Sequence, residues 1–329
     1  MLAQGEPLGR AGRPAPADPP RGPLLFAFLD GIGLAEAGPD NPFSLVPMPH
    51  LEGLLGGALT LETVDKLSEN GRPGLVLRAL DACLGVPGLP QSATGQTALF
   101  TGVNAPAAVG DHVTAQPTAP LRDIIAEHSV LKRAAEAGAR VLFANAHSQR
   151  FWEMVERRRR RLGASTLTAL AAGAPIPDLD DLEAGRAVLW DITHEIASGH
   201  LDYGLPIVSA WEAGQRLARL AAEYDLVLYE SFLPDLAGHR RLEAAWVLQR
   251  LDDFLGAIFA SCDPRITLLV CSDHGNIEDS STKMHSVNPV PLLVVGPGAS
   301  WFSQAGDLLD VAPAILRLLV DQPGRRLRV

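Results

Sequence analysis

Apolar residues along this chain fall into short unbroken runs that end on glycine-rich or acidic loops, with helically spaced stretches between them. Leu24-Leu25-Phe26-Ala27-Phe28-Leu29 stops at Asp30-Gly31-Ile32-Gly33, and residues 266–271 repeat the pattern before Ser272-Asp273-His274-Gly275. A continuous apolar run bounded by glycine predicts a strand buried on both faces. Residues 140–145, 225–230 and 290–295 are further strand candidates, and Pro291 predicts an edge or a strand start for the last. Helical spacing marks 51–61, 121–137 (stopped by Gly138), 211–224, 242–260 and 307–319. Residues 90–101 read as a loop opening into a short helix ended by Gly102. Strands alternating with helices predict an α/β fold, with a mostly parallel sheet covered on both faces.

Residues 1–22 are rich in proline, glycine and arginine and lack a continuous apolar segment, so they read as a flexible arm rather than a signal peptide, with order beginning at Pro23. Residues 149–210 are less regular. They hold an arginine run, an Ala/Leu-rich helix and a Pro/Asp-rich stretch, and predict a small insert or cap between core segments 23–148 and 211–329. With 47% hydrophobic residues in 329, a sizeable core is available. The net charge of −10 argues against a nucleic-acid backbone as the main partner. No apolar run approaches the roughly 20 residues of a membrane helix, and a cytoplasmic location is expected. Cys83, Cys262 and Cys271 form no CxxC pair and read as small hydrophobes in a reducing compartment.

Three candidate strands run into acidic loops, at Asp30, at Asp273-His274 and shortly before Asp235. In parallel α/β sheets the carboxyl ends of strands share one edge, where sites form, so these acids are expected to converge. Asp235 and His239 are four apart and share a face if helical. Asp273 and His274 are adjacent and can serve one metal only where the strand breaks, a freedom Gly275 supplies. His285 follows on a polar loop. Three aspartates and three histidines suit two divalent cations, zinc or manganese, with magnesium admitted by the carboxylates; such a pair can clamp both oxygens of a phosphoryl displacement. Ser92 fits a nucleophile activated by metal, or alternatively a residue that merely caps its helix. Asn276, Glu278 and Asn288 flank the ligands and are expected to support them.

At these residues the sequence resembles the alkaline phosphatase superfamily, in the branch of cofactor-independent phosphoglycerate mutase and phosphopentomutase. Leu29-Asp30-Gly31 resembles its first metal aspartate, and Ser92-Ala93-Thr94-Gly95-Gln96 its nucleophile turn. Asp235 through Gly238-His239 resembles its Asp-x-x-Gly-His segment. Ser272-Asp273-His274-Gly275-Asn276 with His285-Ser286 and 288–291 resembles the closing signature, and 310–316 the C-terminal helix. The resemblance implies a three-layer α/β sandwich, one metal on Asp235, His239 and His285, another on Asp30, Ser92, Asp273 and His274, and a phosphoserine intermediate. The mutases carry a large insert after the nucleophile. Here only about sixty residues, near 149–210, remain for one, which favours hydrolysis by water over transfer within a closed site.

The leading expectation is therefore a metal-dependent phosphatase or phosphodiesterase acting on a small phosphorylated metabolite, with Gln96, His112 and Arg157 as candidate substrate contacts. A phosphomutase is the alternative, and a non-catalytic metal-binding protein a third reading. The arginine run 157–161 reads either as an anion clamp or as a solvated face, since five consecutive arginines cannot all face one site. His112 reads either as a phosphate contact or as a plain loop residue.

Overall fold

A computed structural model describes residues 22–200 and 204–320; the arm expected at 1–22 lies outside them but for Gly22. Six strands form one sheet: β1 (Leu24–Leu29), β2 (Leu75–Leu80), β3 (Val141–Phe143), β4 (Leu226–Ser231), β5 (Thr267–Cys271) and β6 (Val290–Val295), in the order β2-β6-β5-β1-β4-β3. β1 pairs in parallel with β4 and β5, and β3 pairs in parallel with β4, whereas β6 runs antiparallel to both neighbours. β1 is buried at every residue because it lies in the middle. Its alternate side chains serve two cores. Leu24, Phe26 and Phe28 face the helices Ser92–Thr101, Ala119–His128 and Val130–Glu136, while Leu25, Ala27 and Leu29 face Ala210–Ala221 and Ala244–Ser261. The result is the expected three-layer sandwich.

The differences from the sequence reading are local. β6 is internal, so of the two readings of Pro291 the edge fails and the strand start holds. Pro291 is its second residue, and pairing with β5 begins only at Leu292 (opposite Cys271), so proline's missing N–H falls before the β5 ladder starts. The helix expected at 121–137 is broken at Ser129, whose hydroxyl caps the second helix by accepting from Lys132 N and donates to Thr168 O. Residues 51–61 are two helices, Pro49–Leu55 and Leu61–Asn70. The first lacks a cap of its own, and the buried Asp252 carboxylate accepts from His50 N and Leu51 N instead. Residues 307–319 open as a 3-10 turn, Leu308–Asp310, before the helix Val311–Val320. Within 149–210, helix Ala164–Ala171 contributes Ala164 and Ala169 to the core beside β3, and Val188 bonds to Ala144 and Ala146 along the sheet edge. Ala146, Leu182, Leu189 and Ala197 form a small cluster of their own. No helix among the described residues is long and apolar enough to cross a membrane.

Candidate metal centre

The three central parallel strands deliver their carboxyl ends to one place. Leu29 is in register with Ser231, and Phe28 with Cys271. Asp30 therefore follows β1 beside the end of β4, where its N–H donates to Ser231 O at 2.9 Å. Asp273 and His274 follow β5. Asp235 stands in the first turn of the helix Leu233–Gly238, with His239 at its C-cap. Gly31 turns the chain away from Asp30 at φ +80, with Asp235 so close that a Cβ would lie 2.7 Å from its Cα.

The residues singled out from sequence meet here. His274 Nε2 lies 3.2 Å from Asp30 Oδ1 and 3.5 Å from Asp273 Oδ2, and Ser92 Oγ is 3.0 Å from the same nitrogen. Asp235 Oδ1 is 3.3 Å from His239 Nε2 and 3.5 Å from His285 Nε2. Among the described residues three groupings have metal-ligand spacing. Two of them lie here, Asp30, Asp273, His274 and Asp235, His274, His285, with His239 outside both; the third, His50, Asp252, Asp253, lies elsewhere and is half exposed. Ser92 is the first helical residue, and Gln91 holds the N-cap position without a side-chain bond, so the serine hydroxyl is turned to His274 rather than capping its helix.

Each imidazole is oriented the same way. Nδ1 faces a backbone carbonyl: Lys283 O for His239 and Pro90 O for His285, both at 2.8 Å, and Gly275 O for His274 at 3.4 Å. The Nδ1–H tautomer satisfies those carbonyls and leaves the Nε2 lone pair directed into the site, the arrangement a metal-binding histidine needs. His239 and His285 present their Nε2 atoms to one another at 3.3 Å.

The charges make the same point. Asp30 is pushed up to about 7 by burial and then by the Asp273 charge. Burial also raises Asp273. Burial would lower His274, but the Asp273 charge and the Asp30 carboxylate overcome it and carry the imidazole up to about 10. Asp235 is held down to about 2: burial opposes this, and the His285 hydrogen bond and the His274 charge outweigh it. Asp30 Oδ1 and Asp273 Oδ2 are buried and accept no hydrogen bond. Buried carboxylates crowded this way are costly unless a cation neutralises them. The N/O donor set fits divalent zinc or manganese.

Behind the ligands, Glu278 is buried and ties three loops together. Its Oε2 accepts from Gly33 N at 2.9 Å and Asn276 N at 2.7 Å, and its Oε1 accepts from Ser286 Oγ and from Asn288 Nδ2. Asn276 Nδ2 in turn donates to Asp235 Oδ1 at 2.9 Å. The three candidate substrate residues are placed differently. Gln96 is in the site, its Nε2 donating to Asp30 Oδ2 at 3.0 Å. His112 lies outside the cavity with Nε2 3.2 Å from Val86 O. Arg157 is exposed and paired with Glu153 at 3.7 Å.

Above Ser92 opens a cavity of about 500 Å³. Asp30, Gln96 and Asp235 form its floor. Its walls include Arg160, Arg161 and Arg241, and the ring pair Trp190–Phe232, stacked at 4.0 Å between centroids. Sequence reasoning missed Arg241, Trp190, Phe232 and Glu230 as wall residues. Only Phe232 and Glu230 carried a signal, their position at the carboxyl end of a predicted strand. Glu230 accepts from Ser165 Oγ at 2.6 Å and is pushed up to about 7, chiefly by burial.

Residues 205–322 match the family model described as the Metalloenzyme superfamily. The chain is 34% identical over 124 residues to a 2,3-bisphosphoglycerate-independent phosphoglycerate mutase of Desulforudis audaxviator, a match covering 35% of this chain and 24% of that protein. It is 35% identical over 125 residues to the protein of the same name from Cereibacter sphaeroides, covering 35% and 25%. It thus spans about a quarter of the length of these curated relatives. Among solved structures, a Pyrococcus horikoshii protein superposes with a TM-score of 0.54 at 13% identity, over 93% of this chain and 99% of that one. The alkaline phosphatase of the Antarctic bacterium TAB5 superposes at 0.50 and 14% identity, over 92% and 99%. These two likenesses establish the fold.

Proposed function

We propose that the chain, whose residues 205–322 match the Metalloenzyme superfamily model and whose fold is alkaline phosphatase-like, is a two-metal phosphoester hydrolase that works through phosphorylation of Ser92. The observation that carries the reading is the Ser92 hydroxyl, 3.0 Å from His274 Nε2 and beside two groupings of ligand spacing that share His274. Asp235, His239 and His285 would hold one cation, and Asp30, Asp273 and His274 the other. Bound cations supply Lewis-acid activation of the serine hydroxyl and neutralise charge on the transferred group. The protein's own groups do the rest. The start of helix Ser92–Thr101 places the hydroxyl at a positive dipole end. Gln96 fixes Asp30, and Arg160, Arg161 and Arg241 face the space where a phosphorylated substrate enters.

Hydrolysis is favoured over mutase chemistry by the cover above the site. With helix Ala164–Ala171 in the core, the helices left between residues 149 and 200 among those described are Gln149–Glu156, Leu179–Glu183 and Glu195–His200, none longer than eight residues, a thin lid for keeping water from a phosphoserine. The names of the curated relatives favour a phosphomutase as the second reading. One assay separates them. The metal-free protein is expected to be inactive, and manganese or zinc to restore release of inorganic phosphate from a monoester. Ser92→Ala is expected to lose at least about a thousandfold in kcat. Wild-type turnover in Ser92→Ala rejects the mechanism, and isomerised substrate without free phosphate selects the mutase.

A further inference from the structure

We infer that Arg122, Arg158, Arg160 and Arg161 build a second anion subsite beside the cavity over Ser92, and that the substrate is a phosphoester whose remainder carries another phosphate. The inference rests on the phosphoester reading above.

A recess of about 590 Å³ opens between the turn after helix Gln149–Glu156 and the start of helix Ala119–His128. Four arginines line it, and no acidic side chain does. Among the described residues none of the four has an ion pair, whereas Arg157, Arg186, Arg250 and Arg265 each have a carboxylate partner. In a chain of net charge −10, such a cluster is self-repelling, and a bound anion relieves it.

The turn explains how a run of five arginines is divided. Arg159 N and Arg160 N both donate to Met154 O, at 2.8 and 3.1 Å, and Arg158 takes the left-handed conformation at φ 55. The coil sends Arg158, Arg160 and Arg161 into the recess, and Arg157 and Arg159 to a separate hollow with Arg150. With Arg158 N donating to Val155 O at 2.9 Å, this is the left-handed cap that commonly ends a helix, and it reverses the chain direction between Arg157 and Arg159.

The opposite wall adds a second kind of donor. Thr118 and Ala119 open a ten-residue helix whose N-cap side chain makes no capping bond and whose first turn holds no acid. Pro120 has no N–H and Leu121 is buried away from the recess, so the helix start offers the Ala119 N–H and its dipole there, a favourable place for an oxyanion. Four guanidinium forks and a helix start suit the three oxygens of a phosphate dianion better than the two of a carboxylate.

Arg160 and Arg161 border both spaces. Arg160 is steadied by Phe151, its guanidinium 5.1 Å from the ring centroid. A molecule with one phosphoryl group over Ser92 and another in the recess would pass along that shared wall.

The test uses manganese-loaded Ser92→Ala protein, so that binding is read without turnover. Calorimetry compares a chain-length series of alkanediol bisphosphates with the matching alkyl monophosphates and carboxyalkyl phosphates. The expected result is a length at which the bisphosphate binds at least about tenfold tighter than both, with that ratio falling about tenfold in Arg122→Ala and in Arg158→Ala. Both side chains are exposed, and unchanged melting temperatures confirm folding of the variants. Equal affinity for bis- and monophosphates at every length overturns the subsite, as does a ratio unmoved by both substitutions. A carboxylate bound as tightly as a phosphate overturns the assignment of the second group. Turnover by wild-type protein is measured separately. Bisphosphate preference without any phosphate release keeps the subsite and rejects hydrolysis, and release with a kcat/KM indifferent to the second phosphate does the reverse.

Discussion

At the scale of single residues, the candidate metal centre rests on groups outside its proposed ligand set. Glu278 accepts from two backbone N–H groups and two side chains, on loops that carry Asp30, His274 and His285. Glu278→Ala leaves those buried donors unpaired, and each hydrogen bond to a buried charge is worth about 1.5–3 kcal/mol. The variant is expected to lose about 3 kcal/mol or more in a urea unfolding titration and to bind manganese more weakly; unchanged stability would remove Glu278 from this role. Glu230 is an opposite case. Its ordinary pKa of 4.5 is raised to about 7, first by burial, so the folded state favours its neutral form. That contribution is fully present below pH 4.5 and is lost as pH climbs through 7. In metal-free protein, Glu230→Gln stays neutral throughout. Its melting temperature relative to wild type should therefore rise between pH 4.5 and 8. A constant offset across that range would contradict the shift.

At the scale of elements, what the sequence disclosed follows from what each pattern encodes. Buried strands that end on charge announce themselves, so β1, β4 and β5 and the residues at their ends were legible, and so was the helix opened by Ser92. β2 was not, because Arg78 interrupts its apolar pattern and bonds outward to Ala305 O. The break at Ser129 carried a signal, a serine in position to cap the next turn, but the continuous helical spacing across it masked the interruption. Strand order depends on contacts between distant segments, which local spacing does not encode. The closest approach between elements is also invisible in sequence. At Gly95 the helix Ser92–Thr101 meets the β5 end, and a Cβ would stand 2.7 Å from Asp273 O. Alanine gains about 1 kcal/mol of helix propensity over glycine, against about 1–3 kcal/mol of overpacking, and here the obstacle is backbone beside a ligand. Gly95→Ala is expected to lower both stability and metal affinity. Tighter manganese binding in that variant would show that the helix is free to shift.

At the scale of the molecule, the sheet acts as a frame that carries three acidic strand ends to one edge, and the helix on one face presents a hydroxyl to them. A chain of net charge −10 can still take an anionic substrate, because cations and arginines set the field locally. The arginines that reach the cavity are Arg160, Arg161 and Arg241; a run of five in sequence did not reveal which would turn inward, since that depends on the coil after Glu156. Turnover by the proposed route requires that Ser92 become phosphorylated. The most direct measurement is acid quenching of the manganese-loaded enzyme with a phosphoester substrate, followed by peptide mapping by mass spectrometry. One phosphoryl group is expected on the peptide bearing Ser92, absent in Ser92→Ala. Turnover that proceeds with that peptide unmodified, or with the phosphoryl group on another residue, would contradict it.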